Sequence, residues 1–160
     1  MPKNPTQHFG PEELASALGK PFPPTAEQAA VIDGPLGPKL VVAGAGAGKT
    51  ETMASRVVSL VANGLVRPEQ VLGLTFTRKA AQQLEQRIRR QLLTLRSSGI
   101  LAPGSPAAEA VENIAPNVST YDSYAGDLVR EYGLLMPVEP NARIITEAER
   151  YAIAHEVVSN

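Results

Sequence analysis

The stretch AGAGAGKT, Ala43–Thr50, places three glycines at alternate positions and then Lys49 and Thr50. It follows the apolar run KLVVA and precedes a segment with helical spacing. A chain sheds side chains this way where its backbone must come very close to a ligand. Successive N–H groups can then point into one concavity and wrap a phosphate, and any Cβ there would stand in the way. A helix opening near Lys49 adds its unpaired N–H groups and the positive end of its dipole. Strand, glycine loop and helix together are the context of a Walker A loop. In that reading Ala43, Gly44, Ala45, Gly46, Ala47, Gly48, Lys49 and Thr50 bind the nucleotide. Lys49 reaches the β- and γ-phosphates, and Thr50 is the Mg²⁺ ligand. The strict pattern begins with Gly, and Ala43 stands there instead, at the end of the strand where it costs little.

The flanking pattern predicts an α/β fold. GPEELASALGK and TAEQAAVID read as short helices, KLVVA and VLGLTF as buried strands, and Arg78–Leu95 as a long amphipathic helix. On the helix after the loop, Met53, Val57, Leu60 and Val61 form the expected apolar stripe. Ser97–Pro116, rich in Ser, Gly, Ala and Pro, reads as a mobile loop. NVSTY is a third strand, Tyr121–Tyr132 a helix, ARII a short extended piece, and TEAERYAIAHEVV a last helix with Thr146 and Glu149 as a capping box. Alternating strands and helices imply a parallel sheet, whose ligands bind at the carboxyl ends of the strands. Ala43–Thr50, Thr75–Lys79 and Ser119–Ser123 all fall there.

Composition excludes several classes. The 160 residues include no Cys and only two His, so thiolate sites and disulfides are absent and a histidine metal centre is disfavoured. No apolar run approaches the length of a membrane span and no secretory leader is seen, so the chain reads as cytoplasmic. The net charge of −1 is unevenly spread. Arg78–Arg96 holds six basic residues and one acidic, whereas Ser97–Asn160 holds three basic and nine acidic. The basic block points either to a solvated helix face or to a local polyanion contact.

Three further stretches, FPPTAEQAAVI, LTFTRKAAQQLEQRI and VSTYDSYAGDLVREYG, stand around the glycine loop in an order and spacing that resemble the first motor domain of superfamily 1 DNA helicases of the UvrD/Rep/PcrA type. The resemblance covers about Phe22–Arg150. It implies a RecA-like P-loop fold in which residues 22–145 form a partial ATP-binding subdomain. Residues 1–21 would be a helical extension and 146–160 the start of an inserted helical subdomain. It implies that Gln28 pairs with the adenine edge, although Thr25 and Gln28 also fit a capping box. It implies that Phe76, Thr77 and Lys79 touch single-stranded DNA, with Arg78, Arg87, Arg89 and Arg90 behind them. Ser119, Thr120 and Ser123 match the next motif, and Thr120 and Ser123 would donate to phosphates. Asp122 replaces the usual His there and can serve instead as a helix cap. Glu51 replaces the basic residue common after the loop.

The implied activity is that of an ATP- and Mg²⁺-dependent translocase on single strands and duplex junctions, serving repair or recombination, with a possible helicase–nuclease partner. No apolar strand here ends in the Asp-Glu pair such motors need, so the chain reads as an N-terminal piece of a longer enzyme and is expected to be inactive alone. Two rivals are a non-cycling nucleotide-binding regulatory module and a small-molecule kinase. An acceptor site for the kinase is not seen.

Overall fold

The computed structural model describes residues 8–113, 116–135 and 145–159. Two compact units divide it, Met1–Tyr121 and Asp122–Asn160. The first unit is built around two helices, α3 (Lys49–Ala62) and α4 (Arg78–Ser97). On α4 the residues Ala81, Leu84, Ile88, Leu92 and Leu95 recur at three- and four-residue spacing and are all buried, as the amphipathic pattern predicts. Leu84, Ile88, Leu92 and Leu95 meet Ala54, Val58, Val61 and Ala62 of α3 in one core.

The buried stripe of α3 is rotated by about one position from the expected one. Ala54, Ser55, Val58 and Ser59 face inward and Met53 is exposed. Small residues on the inner face let the two helix axes approach closely, and the bulkier Met53 is left to line a cleft with Val41 and Val42.

Two short helices precede the loop. In α1 (Pro11–Ala17) Pro11 occupies the first turn with Glu12 and Glu13, and Leu14 joins the same core as α3 and α4. Asn63, just after α3, accepts from the Phe9 N–H at 2.7 Å and donates to the Phe9 carbonyl at 3.2 Å, tying the start of the described chain to this core. In α2 (Ala26–Ile32) the capping box between Thr25 and Gln28 is fully formed. Arg56 of α3 donates to the carbonyls of Ile32 (2.8 Å) and Pro35 (3.1 Å). A cation there complements the carboxyl end of α2.

The sheet among the described residues has two strands, β1 (Leu72–Thr75) and β2 (Asn117–Thr120), parallel and in the register Leu72–Asn117 to Thr75–Thr120. The chain between them includes α4, and Leu84 of α4 and Val118 of β2 close over Gly73. Both strands are half-buried rather than fully covered. The expected strand KLVVA is not part of this ladder, and Leu40 is 88% exposed. An isolated strand has only water to satisfy its N–H and C=O groups, and β1 and β2 pair with each other.

The expected loop Ser97–Pro116 contains a helix, α5 (Pro106–Asn113). Pro106 stands in its first turn, where a missing N–H costs nothing, and the Ser105 hydroxyl accepts from the Ala108 N–H at 3.2 Å. Leu101, Ala107 and Val111 are buried against the core of α3 and α4. Composition misleads here because proline and serine read as breakers when they in fact start a helix.

In the second unit, the rest of α6 (Tyr121–Tyr132) and α7 (Glu147–Ser159) have no buried residue. The Thr146–Glu149 capping box forms as expected. Most of ARII lies outside the described residues, Ile145 excepted. No helix among the described residues is long and apolar enough to cross a membrane.

The packing of α5 gives a first test. Val111→Ala should lower the unfolding free energy by about 1–3 kcal/mol, from two buried methyl groups and the cavity they leave. Leu93→Ala, on the exposed side of α4, should change it by less than about 0.5 kcal/mol. Urea unfolding of both variants decides between a packed helix and a loose loop; equal, small effects would remove α5 from the core.

Candidate functional site

The glycine loop passes directly into α3. Gly46 and Gly48 both adopt left-handed backbone, at φ 77° and 78°, which side chains rarely tolerate. Space around Gly46 is open, whereas a Cβ on Gly48 would lie 3.0 Å from Gln28 Nε2. Gly48 caps α3, and the Thr52 N–H and hydroxyl both return to its carbonyl. The N–H groups of the first helical turn therefore have no intrahelical partner and open toward the loop.

Lys49 folds back over this loop, its Nζ donating to the carbonyls of Gly44 (2.6 Å) and Ala43 (3.0 Å). Thr50 is exposed on the same first turn. Gln28 accepts from the Thr25 N–H at 3.1 Å and donates to the Ala47 carbonyl at 3.2 Å. Its amide thus serves the capping box and braces the loop at once, keeping one N–H and one lone pair for a further partner. Beside it a cleft of about 510 Å³ is lined by Gln28, Val31, Val41, Val42, Lys49 and Met53, among others.

A second cluster stands where β1 and β2 end. Phe76 is 88% exposed, so it is not a core residue. Its ring centroid lies 5.2 Å from that of half-exposed Tyr121, at an interplanar angle of 37°. The two rings follow directly on the paired residues Thr75 and Thr120, so the parallel register itself sets them side by side. Tyr121 is not among the site residues that sequence reasoning finds. The available signal is an aromatic residue immediately after each of two strands expected to be neighbours.

Thr77 caps α4, its hydroxyl oxygen accepting from the Ala80 N–H at 3.2 Å while the hydroxyl proton can still donate. Lys79 is exposed on the first turn of the same helix. Thr120 departs from expectation: at 8% exposure it is buried beneath this edge rather than presented on it. Ser123 is exposed in the second unit. Asp122 lies inside the first turn of α6, not at its cap.

Arg87 also departs from expectation. It is still exposed, but its charge is paired, donating to Glu51 at 2.6 Å. Glu51 is further bound by Lys20 (2.6 Å) and by the Gln91 amide (2.7 Å). Partial burial pushes the Glu51 carboxyl up. The hydrogen bonds and charges of Lys20 and Arg87 outweigh that and hold it below the usual glutamate range. Arg78, Arg89 and Arg90 remain exposed.

Comparison with known proteins matches residues 24–160 to the UvrD/REP helicase N-terminal domain. An ATP-dependent helicase/nuclease subunit of Limosilactobacillus fermentum is 31% identical over 144 residues, 84% of this chain and 10% of that protein. The ATP-dependent DNA helicase UvrD2 of Mycobacterium bovis is 48% identical over 63 residues, 39% of this chain and 9% of that protein. DNA helicase IV of Escherichia coli is 46% identical over 69 residues, 43% of this chain and 10% of that protein. The chain thus spans about a tenth of the length of these curated relatives.

The state of Glu51 generates a pH prediction. A carboxyl whose pKa is lower folded than unfolded stabilises the fold above the unfolded value, about 4.3, and that contribution disappears as pH falls through the lower folded value. Glu51→Gln should therefore be less stable than the wild type at pH 7, with the gap closing as pH drops below about 4.3. Urea unfolding of both proteins across pH 3–7 measures it; a gap that does not change with pH would show that the Glu51 charge contributes nothing.

Proposed function

The chain belongs to the UvrD/REP helicase family through its N-terminal domain, and from that premise we propose that it supplies the nucleotide grip and one side of the DNA track of an ATP-driven single-strand translocase. The observation that carries this reading is Lys49. Its ammonium rests on two neutral carbonyls of a loop held open by left-handed Gly46 and Gly48. The oxygens of a triphosphate outcompete such carbonyls, because a full negative charge attracts the ammonium more strongly than the dipole of a neutral carbonyl does.

The donor set fits ATP with Mg²⁺. In this reading the backbone N–H groups of Gly44–Thr50 cradle the phosphates, and Lys49 holds the β- and γ-oxygens. The Thr50 hydroxyl is one hard oxygen ligand for Mg²⁺, which keeps its remaining positions for phosphate and water. Mg²⁺ would neutralise charge developing on the transferred phosphoryl group. The free N–H and lone pair of Gln28 pair with adenine, while its other bonds hold Ala47 in place. The parent sheet is then RecA-like, and ATP turnover drives movement along DNA in repair or recombination. Relatives named as helicase/nuclease subunits support an assembly with a further protein partner.

The track is the edge formed by Phe76, Tyr121, Thr77 and Lys79. Two exposed rings offer a surface on which bases stack without regard to sequence, and Lys79 and the Thr77 hydroxyl serve the backbone. Exposed Arg78, Arg89 and Arg90 add a screened attraction for the polyanion. Thr120 supports this edge from below. Ser123, on α6, is a further phosphate donor in this reading. A non-cycling nucleotide-binding module would have no use for exposed aromatic rings at the strand ends.

Two measurements test the reading. Calorimetry with ATP–Mg²⁺ should show Lys49→Ala weaker than wild type by about tenfold or more, the loss of a charged hydrogen bond; equal affinities would refute the grip. In the full-length protein, Phe76→Ala should cost roughly 1–3 kcal/mol of single-strand affinity. Lys79→Ala should reduce the salt slope by about one counterion. Unchanged DNA binding by both variants would leave a nucleotide-binding module as the better reading.

A further inference from the structure

Glu51 immediately follows Lys49 and Thr50, and its carboxylate reaches across to α4. Arg87 and Gln91, the two α4 residues that bind it, lie one helical turn apart. Lys20 does the same on α3, donating to Glu51 at 2.6 Å and to Ser55, one turn on, at 2.7 Å. A carboxylate clamped by donors one turn apart fixes the register of one helix against another. Apolar packing holds α3 and α4 together along their lengths, and this polar clamp adds a directional link close to the start of α3. Among the described residues the buried Gln91 Oε1 finds no partner, so the hold of this side chain on Glu51 runs through its Nε2.

The two helices so joined begin at the two candidate sites. α3 opens with Lys49 and Thr50, and α4 opens after Phe76 with Thr77 and Lys79. We propose that Glu51 is a positioning residue that couples the nucleotide loop to the DNA-facing edge, its carboxylate transmitting movement of the first turn of α3 to α4 through Arg87 and Gln91. The inference rests on the nucleotide and DNA roles proposed above. It concerns neither affinity alone but the free energy that links them, which is reciprocal.

The experiment measures that linkage in the full-length protein. Affinity for a labelled oligothymidine is titrated with and without a non-hydrolysable ATP analogue and Mg²⁺, for wild type, Glu51→Gln, Arg87→Met and Arg87→Lys. Wild type should change its DNA affinity by about 5- to 150-fold on binding the analogue, the ordinary range of allosteric coupling. Glu51→Gln and Arg87→Met should bring that factor to about threefold or less, while the affinity for each ligand alone moves by less than about threefold. Arg87→Lys, which keeps the charge pair, should restore it. Where Glu51→Gln does not fold, the contrast between Arg87→Met and Arg87→Lys carries the test. A merely structural brace would lower thermal stability and both single-ligand affinities while leaving the ratio as in wild type, and that result overturns the proposal. A wild type that binds both ligands with no coupling overturns it too, leaving the proposed function intact. A wild type that binds neither ligand overturns the proposed function and this inference with it.

Discussion

The contact between α3 and α4 is the constraint on which the first unit depends. Val58 and Val61 on one helix and Ile88, Leu92 and Leu95 on the other are among the most deeply buried side chains of the chain. Small residues, Ala54, Ser55, Ser59 and Ala62, line the inner face of α3 and let the larger side chains of α4 fill the gap. The rest is arranged against this pair. α1 adds Leu14, α5 adds Ala107 and Val111, and α4 covers the two-stranded sheet. Because a packed interior resists deformation, the direction of each helix axis is set, and with it the place where each helix begins.

Those beginnings hold the candidate sites. A helix start leaves N–H groups unpaired, so it is where a chain can offer donors to an anion without breaking its own structure. α3 starts on a glycine loop and presents Lys49 and Thr50. α4 starts at a strand end and presents Thr77 and Lys79 beside the rings of Phe76 and Tyr121. Both starts thus sit on one packed pair of helices, and Glu51 joins the pair close to the α3 start.

The local geometry of several candidate site residues is legible in the sequence because it follows from a local pattern. The glycine spacing requires the left-handed turns at Gly46 and Gly48, and the Thr25–Gln28 and Thr146–Glu149 pairs form the capping boxes that their spacing implies. The fate of Phe76 is not legible, since an aromatic residue at a strand exit suits a core or a surface equally well. The burial of Thr120 and the ion pair of Arg87 escape the sequence for the same reason. A one-dimensional pattern gives the face of an element but not what lies opposite it. Glu51 is visible as a departure from a family pattern, but its three partners come from two distant segments.

The amino-acid sequence by itself determined the loop, the stripe of α4, the alternation that pairs β1 with β2, and the bounds of α6, because each follows from bonds and spacings within a few residues. Only the tertiary structure decided that KLVVA stays outside the described ladder, that a proline- and alanine-rich stretch folds as α5, and which way α3 turns. It also decided that Arg87, though still exposed, is paired with Glu51. These outcomes depend on which surfaces meet across long stretches of chain, and burial and ion pairing act on the assembled surfaces, not on the order of residues along them.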